Sequence, residues 1–150
     1  MFGQKTNAIV KAAMAAAAGL MALSGAALAQ DKGLGIELNT TLPADGACAL
    51  LFVLDNQTKA DFAAFHLDAS VYDKDKKIAG FYRLGFAEIL GGAKSTVQFQ
   101  LAGLDCEEIS AVTVNPGPPG DCTTKDAGDA AACEAAPSIT AGPGLGFEVQ

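Results

Sequence analysis

Alternation of apolar and polar residues is the dominant pattern in the middle of the chain. It is clearest in F-H-L-D-A-S-V-Y-D, residues 65–73, where every second residue from Phe65 to Val71 is apolar. A period of two is typical of a β-strand with one buried and one solvated face. The charged residues 73–77 predict a turn, and a new apolar run begins at Ile78. We therefore expect a hairpin here, at the centre of the fold.

The same pattern predicts six strands between residues 34 and 114, and one more near the C-terminus. Residues 47–54, A-C-A-L-L-F-V-L, are apolar on both faces, which favours a central position in a sheet. Strands of this number, with turn signals about every 8–12 residues, are typical of a β-sandwich. The fold class that we predict is all-β, an immunoglobulin-like antiparallel β-sandwich of about seven strands. The predicted strands are 34–42, 47–54, 65–73, 78–86, 96–101, 109–114 and 145–149.

Residues 1–29 have the composition of a secretory signal peptide. Lys5 and Lys11 give a positively charged lead, residues 12–23 are apolar, and residues 27–29, A-L-A, are typical of a signal-peptidase site. The alternative is a membrane anchor, but the apolar run is short for one. We therefore expect cleavage and no membrane span in the mature chain. The Ala-rich leader indicates a bacterial protein of the periplasm or the medium.

Composition divides the remaining chain into two parts. Residues 30–114 carry the alternating runs and are expected to form the β-sandwich core. Residues 115–150 begin with N-P-G-P-P-G and are rich in Gly, Pro and Ala. This C-terminal segment is expected to hold a disulfide loop, a short helix near residues 127–136 and an edge strand. The alternative is that the segment is largely disordered.

The cysteines that follow the leader are Cys48, Cys106, Cys122 and Cys133. An even number in an exported chain indicates two disulfides. Of the three pairings we favour Cys48–Cys106, whose spacing resembles the inter-sheet bridge of immunoglobulin domains, with Cys122–Cys133 closing a short loop. Zinc binding and thiol redox chemistry are disfavoured because no C-x-x-C pair is present.

Charge and composition exclude several classes of partner and cofactor. The net charge is −7, and it becomes −9 without the leader, because two lysines and no acid are lost. Such a surface repels nucleic acid and anionic lipid, and its main consequence is solubility. After residue 29 the chain has one His, no Met and no Trp, unlike copper carriers or zinc enzymes. We therefore predict no cofactor and no metal centre.

His66 is the residue that first suggests catalysis. Asp68, Ser70 and Tyr72 share its face on the predicted strand. A general base needs a nucleophile or an acid within reach, and any solvated strand face presents a similar row of polar residues. We expect a solvent-facing structural role for His66, no catalytic residue, and a protein that is not an enzyme.

Carboxylate groups raise the alternative of a divalent-cation or small-ligand site. The D-K-D sequence of residues 73–75 begins like a calcium loop, but Ile78 and Leu84 stand where an EF-hand needs Gly and Glu. A charged turn is therefore the preferred interpretation. A looser carboxylate site at Asp121, Asp126 and Asp129 is the alternative, and for these residues too charged turns are the preferred interpretation.

Phe81, Tyr82 and Arg83 form the most partner-like cluster, because aromatic residues and Arg are enriched at interaction hot spots. Parity along residues 78–86 places Phe81 and Arg83 on one face of the strand and Tyr82, with Ile78, on the other. We expect this cluster to be the candidate interface with another protein.

Part of the chain resembles the small bacterial envelope modules of the FxLYD type. In that pattern a polar Asn turn precedes a strand ending in aromatic-Asp, then a charged turn, a strand, and a Gly turn into a further strand. The matching pieces here, within residues 47–101, are residues 55–57, 71–73, 76–80 and 91–94. The resemblance implies a binding or structural unit without catalytic residues. The cysteine-bearing tail has no counterpart in the pattern.

These inferences together predict a non-enzymatic exported bacterial protein. It would be a protein-binding or structural module of the periplasm or cell envelope, with an envelope or extracellular protein as its partner. Strand addition at a sheet edge is one way in which such a sandwich binds. The alternative function is carboxylate-based binding of a divalent cation or a small ligand.

Overall fold

The computed structural model describes residues 33–117, 120–143, 145 and 148–149. The predicted signal peptide, residues 1–29, lies outside the described residues. The described residues form nine strands and two short 3-10 helices, at Cys106–Glu108 and Ala127–Cys133. The strands are β1 (Leu34–Ala44), β2 (Ala47–Asn56), β3 (Phe62–Asp73), β4 (Ile78–Ile89), β5 (Lys94–Ala102), β6 (Ile109–Pro116), β7 (Cys122–Thr124), β8 (Ser138–Ala141) and β9 (Glu148–Val149).

Two sheets pack face to face around one core. The first sheet has the order β5-β2-β1-β8, and the second has the order β4-β3-β6-β9. The β2–β5 and β3–β6 pairs are antiparallel, as in immunoglobulin-like sandwiches, where strands distant in sequence also pair. The prediction of an all-β, disulfide-stapled sandwich is therefore confirmed.

The strand count and the strand directions differ from the prediction in the C-terminal segment. β7 pairs with the beginning of β3, β8 lies parallel to β1, and β9 lies parallel to β6. β9 falls in the predicted edge strand at 145–149. β7 and β8 were not expected, because their short runs show no alternation of apolar and polar residues. The described residues thus hold nine strands instead of about seven, and the sheets are not wholly antiparallel.

The core takes every second residue from the central strands. The four apolar residues of the alternating run in β3 are buried, as predicted. Phe52 of β2 contacts Phe86 of β4 edge to face, with ring centroids 5.7 Å apart. Phe99 of β5 contacts the same Phe86 ring at 5.0 Å. These aromatic contacts join the two sheets, because β2 and β5 lie in one sheet and β4 lies in the other.

Asn56 is buried, although the sequence predicts a polar turn at residues 55–59. Its Nδ2 donates to the carbonyl oxygens of Ala60 at 2.8 Å and Leu90 at 3.1 Å. Its Oδ1 accepts from the backbone N–H and the hydroxyl of Thr58, at 3.0 and 2.7 Å. Every polar atom of the buried amide therefore has a partner, which is the condition for burying it.

The two disulfides have the pairing favoured from the sequence, which is confirmed. Cys48–Cys106 spans 58 residues and joins β2 to the 3-10 helix that leads into β6, so it connects the two sheets. Cys122–Cys133 spans 11 residues and closes the loop around the second 3-10 helix. Disulfides of this kind are typical of proteins that fold outside the reducing cytosol. Among the described residues, no helix has the length and apolar character needed to cross a membrane.

Candidate functional site

The outer face of the β4-β3-β6 sheet brings together most of the residues that the sequence singled out. Residues directly opposite each other on paired strands share a face. Asp68 of β3 lies opposite Arg83 of β4, and Ser70 lies opposite Phe81. Phe81 and Arg83 therefore point away from the core, as parity predicted.

An exposed apolar patch lies on this face. Phe81 is 72% exposed and Ile78 is 49% exposed. Ile78 pairs with Tyr72 across the strands, while Ala79 has no partner in the register. This one extra residue in β4 is a β-bulge, and it turns Ile78 to the side of Phe81, opposite to the parity prediction. We name Tyr72, Ile78 and Phe81 the Phe81 patch.

Tyr82 does not belong to the patch, so the predicted cluster of Phe81, Tyr82 and Arg83 is divided between two faces. Tyr82 is partly buried and packs against the core. Its ring also covers Gly80, where an added Cβ would lie 2.7 Å from the Tyr82 ring. The close approach of the ring explains why glycine stands at this position.

Arg83 connects three separate parts of the fold. Its Nε donates to Asp68 at 3.0 Å, and its Nη2 donates to Asp121 at 2.7 Å. The hydrogen bond that Arg83 donates to Asp68, together with the charges of Asp121 and Asp68, raises the pKa of Arg83 above its ordinary value. The guanidinium lies over β3 and reaches the segment before β7. Because these ion pairs are solvent-accessible, they orient that segment more than they stabilise the fold.

The turn between β3 and β4 is cationic and ordered by Asp73. The Oδ1 of Asp73 accepts from the backbone N–H groups of Asp75 and Lys77, both at 2.9 Å. Lys76 takes a positive φ of 60° to close the turn. Asp73 therefore shapes a turn and is not arranged as the start of a calcium loop. Lys74, Lys76 and Lys77 are exposed next to the Phe81 patch.

His66 holds the segment before β7 against the sheet. Its Nδ1 lies 3.0 Å from the carbonyl oxygen of Asp121. A carbonyl only accepts, so Nδ1 carries the proton in this contact. Ser70 lies four residues beyond His66 on the same face of β3, so the two residues are roughly 13 Å apart along the strand. The residues that suggested a catalytic set from parity thus do not form a nucleophile–base pair.

A cavity of about 460 Å³ opens beside His66. It lies between the outer face of the sheet and the loop closed by the Cys122–Cys133 disulfide. Its walls are mainly apolar, with Phe65 and Pro137 among them, and Glu134 also lines it. A cavity of this size accommodates a small organic molecule.

The three carboxylates of the alternative site are not assembled in one place. Asp121 is held by Arg83. Asp126 accepts from the backbone N–H of Gly128 and so begins the second 3-10 helix. In the part of the chain that the structure describes, no group of three or more His, Cys, Asp or Glu side chains has the arrangement of a metal site.

Comparisons with known proteins identify no family. The sequence matches no protein-family model and no curated protein. Among solved structures, that of IrmA from Escherichia coli is similar to the structure of this chain, with a TM-score of 0.47 and 13% sequence identity. The similarity covers 64% of this chain and 86% of the IrmA chain.

Sequence reasoning missed several residues of this face. Asp68 and Asp121 were considered for other roles, and their common partner Arg83 was not recognised. Parity offered a signal for Asp68, because opposite charges at equal distances from a hairpin turn are expected to pair across strands. Asp121 gave no such signal, since it lies 38 residues from Arg83 in a segment without regular pattern.

Proposed function

We propose that this protein is a non-enzymatic, exported bacterial protein that binds another protein in the periplasm or cell envelope. The observation that carries the proposal is the 72% exposure of Phe81, next to the half-exposed Ile78, on an otherwise polar sheet face. Exposed aromatic side chains with a polar rim are typical of interaction hot spots. Two disulfides support a location outside the cytosol.

Charge indicates the chemistry of the partner. Lys74, Lys76 and Lys77 border the Phe81 patch, whereas the chain as a whole has a net charge of −7. Arg83, the other cation of this face, is already paired with Asp68 and Asp121. The partner surface is therefore acidic, with an apolar group that covers Phe81, because complementary charge speeds encounter and selects the partner.

A capture experiment with matched variants tests this proposal. The disulfide-bonded protein is immobilised, exposed to a bacterial envelope extract, and compared with Phe81→Ala. Leu42→Ala is the control, because Leu42 is 48% exposed but lies on β1 of the other sheet. We expect a specific protein to be retained by the original chain and by the control, and retention to fall by about tenfold or more with Phe81→Ala.

A charge-reversal variant adds a second criterion. Lys76→Glu with Lys77→Glu should weaken retention of the same protein, and high salt should weaken it as well. If Phe81→Ala and the charge reversal retain the same proteins as the original chain does, the outer face is not the binding surface and the proposal is wrong.

A second candidate function is small-ligand binding in the cavity beside His66, which has a suitable volume of about 460 Å³. A thermal-shift screen with small organic compounds and divalent cations tests it, because a ligand that binds the folded state raises the Tm. Ala135→Phe, at the cavity wall, should remove a shift that arises there. A shift that survives this substitution would place the ligand elsewhere.

A further inference from the structure

β4 is an edge strand with one open side. In the described residues it pairs with β3 alone and ends its sheet. Two irregularities interrupt β4: its register with β3 shifts at Ala79, and Glu88 takes a positive φ of 54°. Between these interruptions, residues 80–87 form an uninterrupted row of backbone donors and acceptors along the open side.

The usual protection of such an edge is missing from residues 80–87. Natural sheets block open edges with lysines, prolines, bulges or charges that stand at the edge. Residues 80–87, G-F-Y-R-L-G-F-A, contain no lysine, no proline and no acid. The guanidinium of Arg83 is drawn back across β3 by Asp68 and Asp121. The one charge of this stretch therefore points away from the edge.

The side chains of this edge are complementary to a second copy of themselves. If two β4 strands run antiparallel with Arg83 opposite Arg83, Phe81 lies opposite Gly85 and Tyr82 lies opposite Leu84. Gly80 then lies opposite Phe86. The exposed Phe81 ring of each copy thus meets a residue without a side chain, and this pair occurs twice, as a two-fold interface requires. Aromatic residues beside glycines are a known means of fixing strand register.

We propose that β4 pairs with β4 of a second copy of this chain in this register, and so joins two sandwiches through one continuous sheet. Backbone hydrogen bonds supply the contact, and the two Phe81–Gly85 pairs set the register. The pairing goes beyond the proposed function, because it is made by the backbone edge of the sheet and joins two copies of this chain. It places two Phe81 patches on the same side of the joined sheet.

Charges at the two ends of the strand favour the same partner. In this register Ile78 lies opposite Glu88, whose side chain is 77% exposed. The cationic turn of one copy, with Lys76 and Lys77, therefore approaches Glu88 of the other copy. Glu88 already has a weak neighbour in Lys125, at 3.6 Å. The two facing Arg83 side chains do not repel strongly, because each is paired with two aspartates.

The test measures self-association of the full chain with both disulfides formed. Sedimentation equilibrium gives the dimer dissociation constant for the original chain and for Phe81→Lys. The control is Gln98→Lys, which adds the same charge at an exposed position of β5, the end strand of the other sheet. We expect Phe81→Lys to raise the dissociation constant at least about tenfold, since two symmetric pairs are lost together, and the control to change it little.

Hydrogen exchange locates the interface without substitution. In the dimer, amide protons of residues 80–86 that face away from β3 should exchange more slowly as protein concentration rises. A chain that stays monomeric at millimolar concentration overturns the inference. A dimer that is weakened equally by Phe81→Lys and by Gln98→Lys also overturns the inference. Either result concerns the edge and leaves the binding of another protein to be decided by the capture experiment.

Discussion

The carboxamide of Asn56 joins two loops that are distant in the chain. One loop follows β2 and contains Thr58 and Ala60, and the other connects β4 to β5 and contains Leu90. The Asn56 side chain, which is 0% exposed, makes all of these hydrogen bonds. Asn56 thereby fixes the ends of β2 and β4 relative to each other, although it lies in a stretch with the sequence of a surface turn.

Asn56→Ala should lower the free energy of unfolding by about 2–4 kcal/mol, because several buried backbone groups lose their partner at once. Denaturant unfolding measures the change. Lys59→Ala, on the exposed part of the same loop, is the control and should stay within about 0.5 kcal/mol. Equal effects of the two substitutions would mean that the amide network does not stabilise the fold.

Asp55, the neighbour of Asn56, gives a prediction about pH. The hydrogen bond from Lys94, with a second one from Gln57, holds the pKa of Asp55 below its ordinary value of 3.8. A carboxylate whose folded-state pKa is lowered stabilises the fold above that ordinary value, and its contribution is lost as the pH falls through the folded-state pKa. Lys94→Met should therefore raise the pKa of Asp55 towards 3.8.

An NMR titration of the Asp55 carboxylate measures this shift. Lys125→Met is the matched control, because Lys125 is paired with Glu88 and not with Asp55. An Asp55 pKa that is the same in Lys94→Met and in the original chain would show that the ion pair does not persist in solution.

Parity predicted single residues well wherever the strand was regular. Phe81 and Arg83 point outward and Tyr82 inward because alternation continues without interruption through these positions. The contacts of Asn56 and Asp121 were not predicted, for a common reason. Their partners are loop carbonyls and a distant arginine, and a linear pattern of apolar and polar residues contains no information about such contacts.

At the scale of the strand, β4 separates a core-facing side from a solvent-facing side. Phe86 is 1% exposed and touches Phe52 and Phe99 across the core, whereas Phe81 is 72% exposed on the same strand. The two phenylalanines thus have the same chemistry and opposite surroundings.

Phe86→Ala should lower the free energy of unfolding by about 3–5 kcal/mol, through lost apolar burial and the cavity that remains. Phe81→Ala should change it by no more than about 0.5 kcal/mol. Urea unfolding at concentrations where the protein is monomeric measures both. A large loss for Phe81→Ala would show that its ring is covered within the monomer, which would argue against an exposed patch.

The strands themselves were predictable in the first two thirds of the chain and not beyond. β1 and β3 to β5 have runs with a period of two, and β2 has a run that is apolar on both faces. The predicted centres are correct for all six strands from β1 to β6. The bulge at Ala79 was not visible in the sequence, so Ile78 was assigned to the wrong face. β7 and β8 are only three and four residues long, and they pair because a disulfide loop and long-range contacts place them beside β3 and β1.

At the scale of the whole molecule, the two disulfides constrain the chain to different extents. Removing Cys48–Cys106 by substitution to Ala should lower the free energy of unfolding by about 4 kcal/mol in the chain-entropy account, since the loop contains 58 residues. Removing Cys122–Cys133 should lower it by about 3 kcal/mol, because that loop contains 11 residues.

Guanidinium unfolding of the two double variants under identical conditions measures which disulfide contributes more to the free energy of unfolding. The buried position of Cys48 adds to the expected difference, because an alanine there leaves unfilled space in the core. If loss of the shorter loop were the more destabilising change, the order expected from loop length would be wrong for this protein.

The longer disulfide also determines how the molecule responds to tension. A load applied to the chain before Cys48 and after Cys106 passes directly through the sulfur–sulfur bond, so the 58-residue segment between them adds no extension. At about 3.5 Å per residue, roughly 200 Å of chain is withheld until the bond is reduced. β3, β4 and the Phe81 patch lie inside this covalent ring. A pull on either end of the protein therefore reaches the patch only through noncovalent contacts, such as the pairing of β3 with β6.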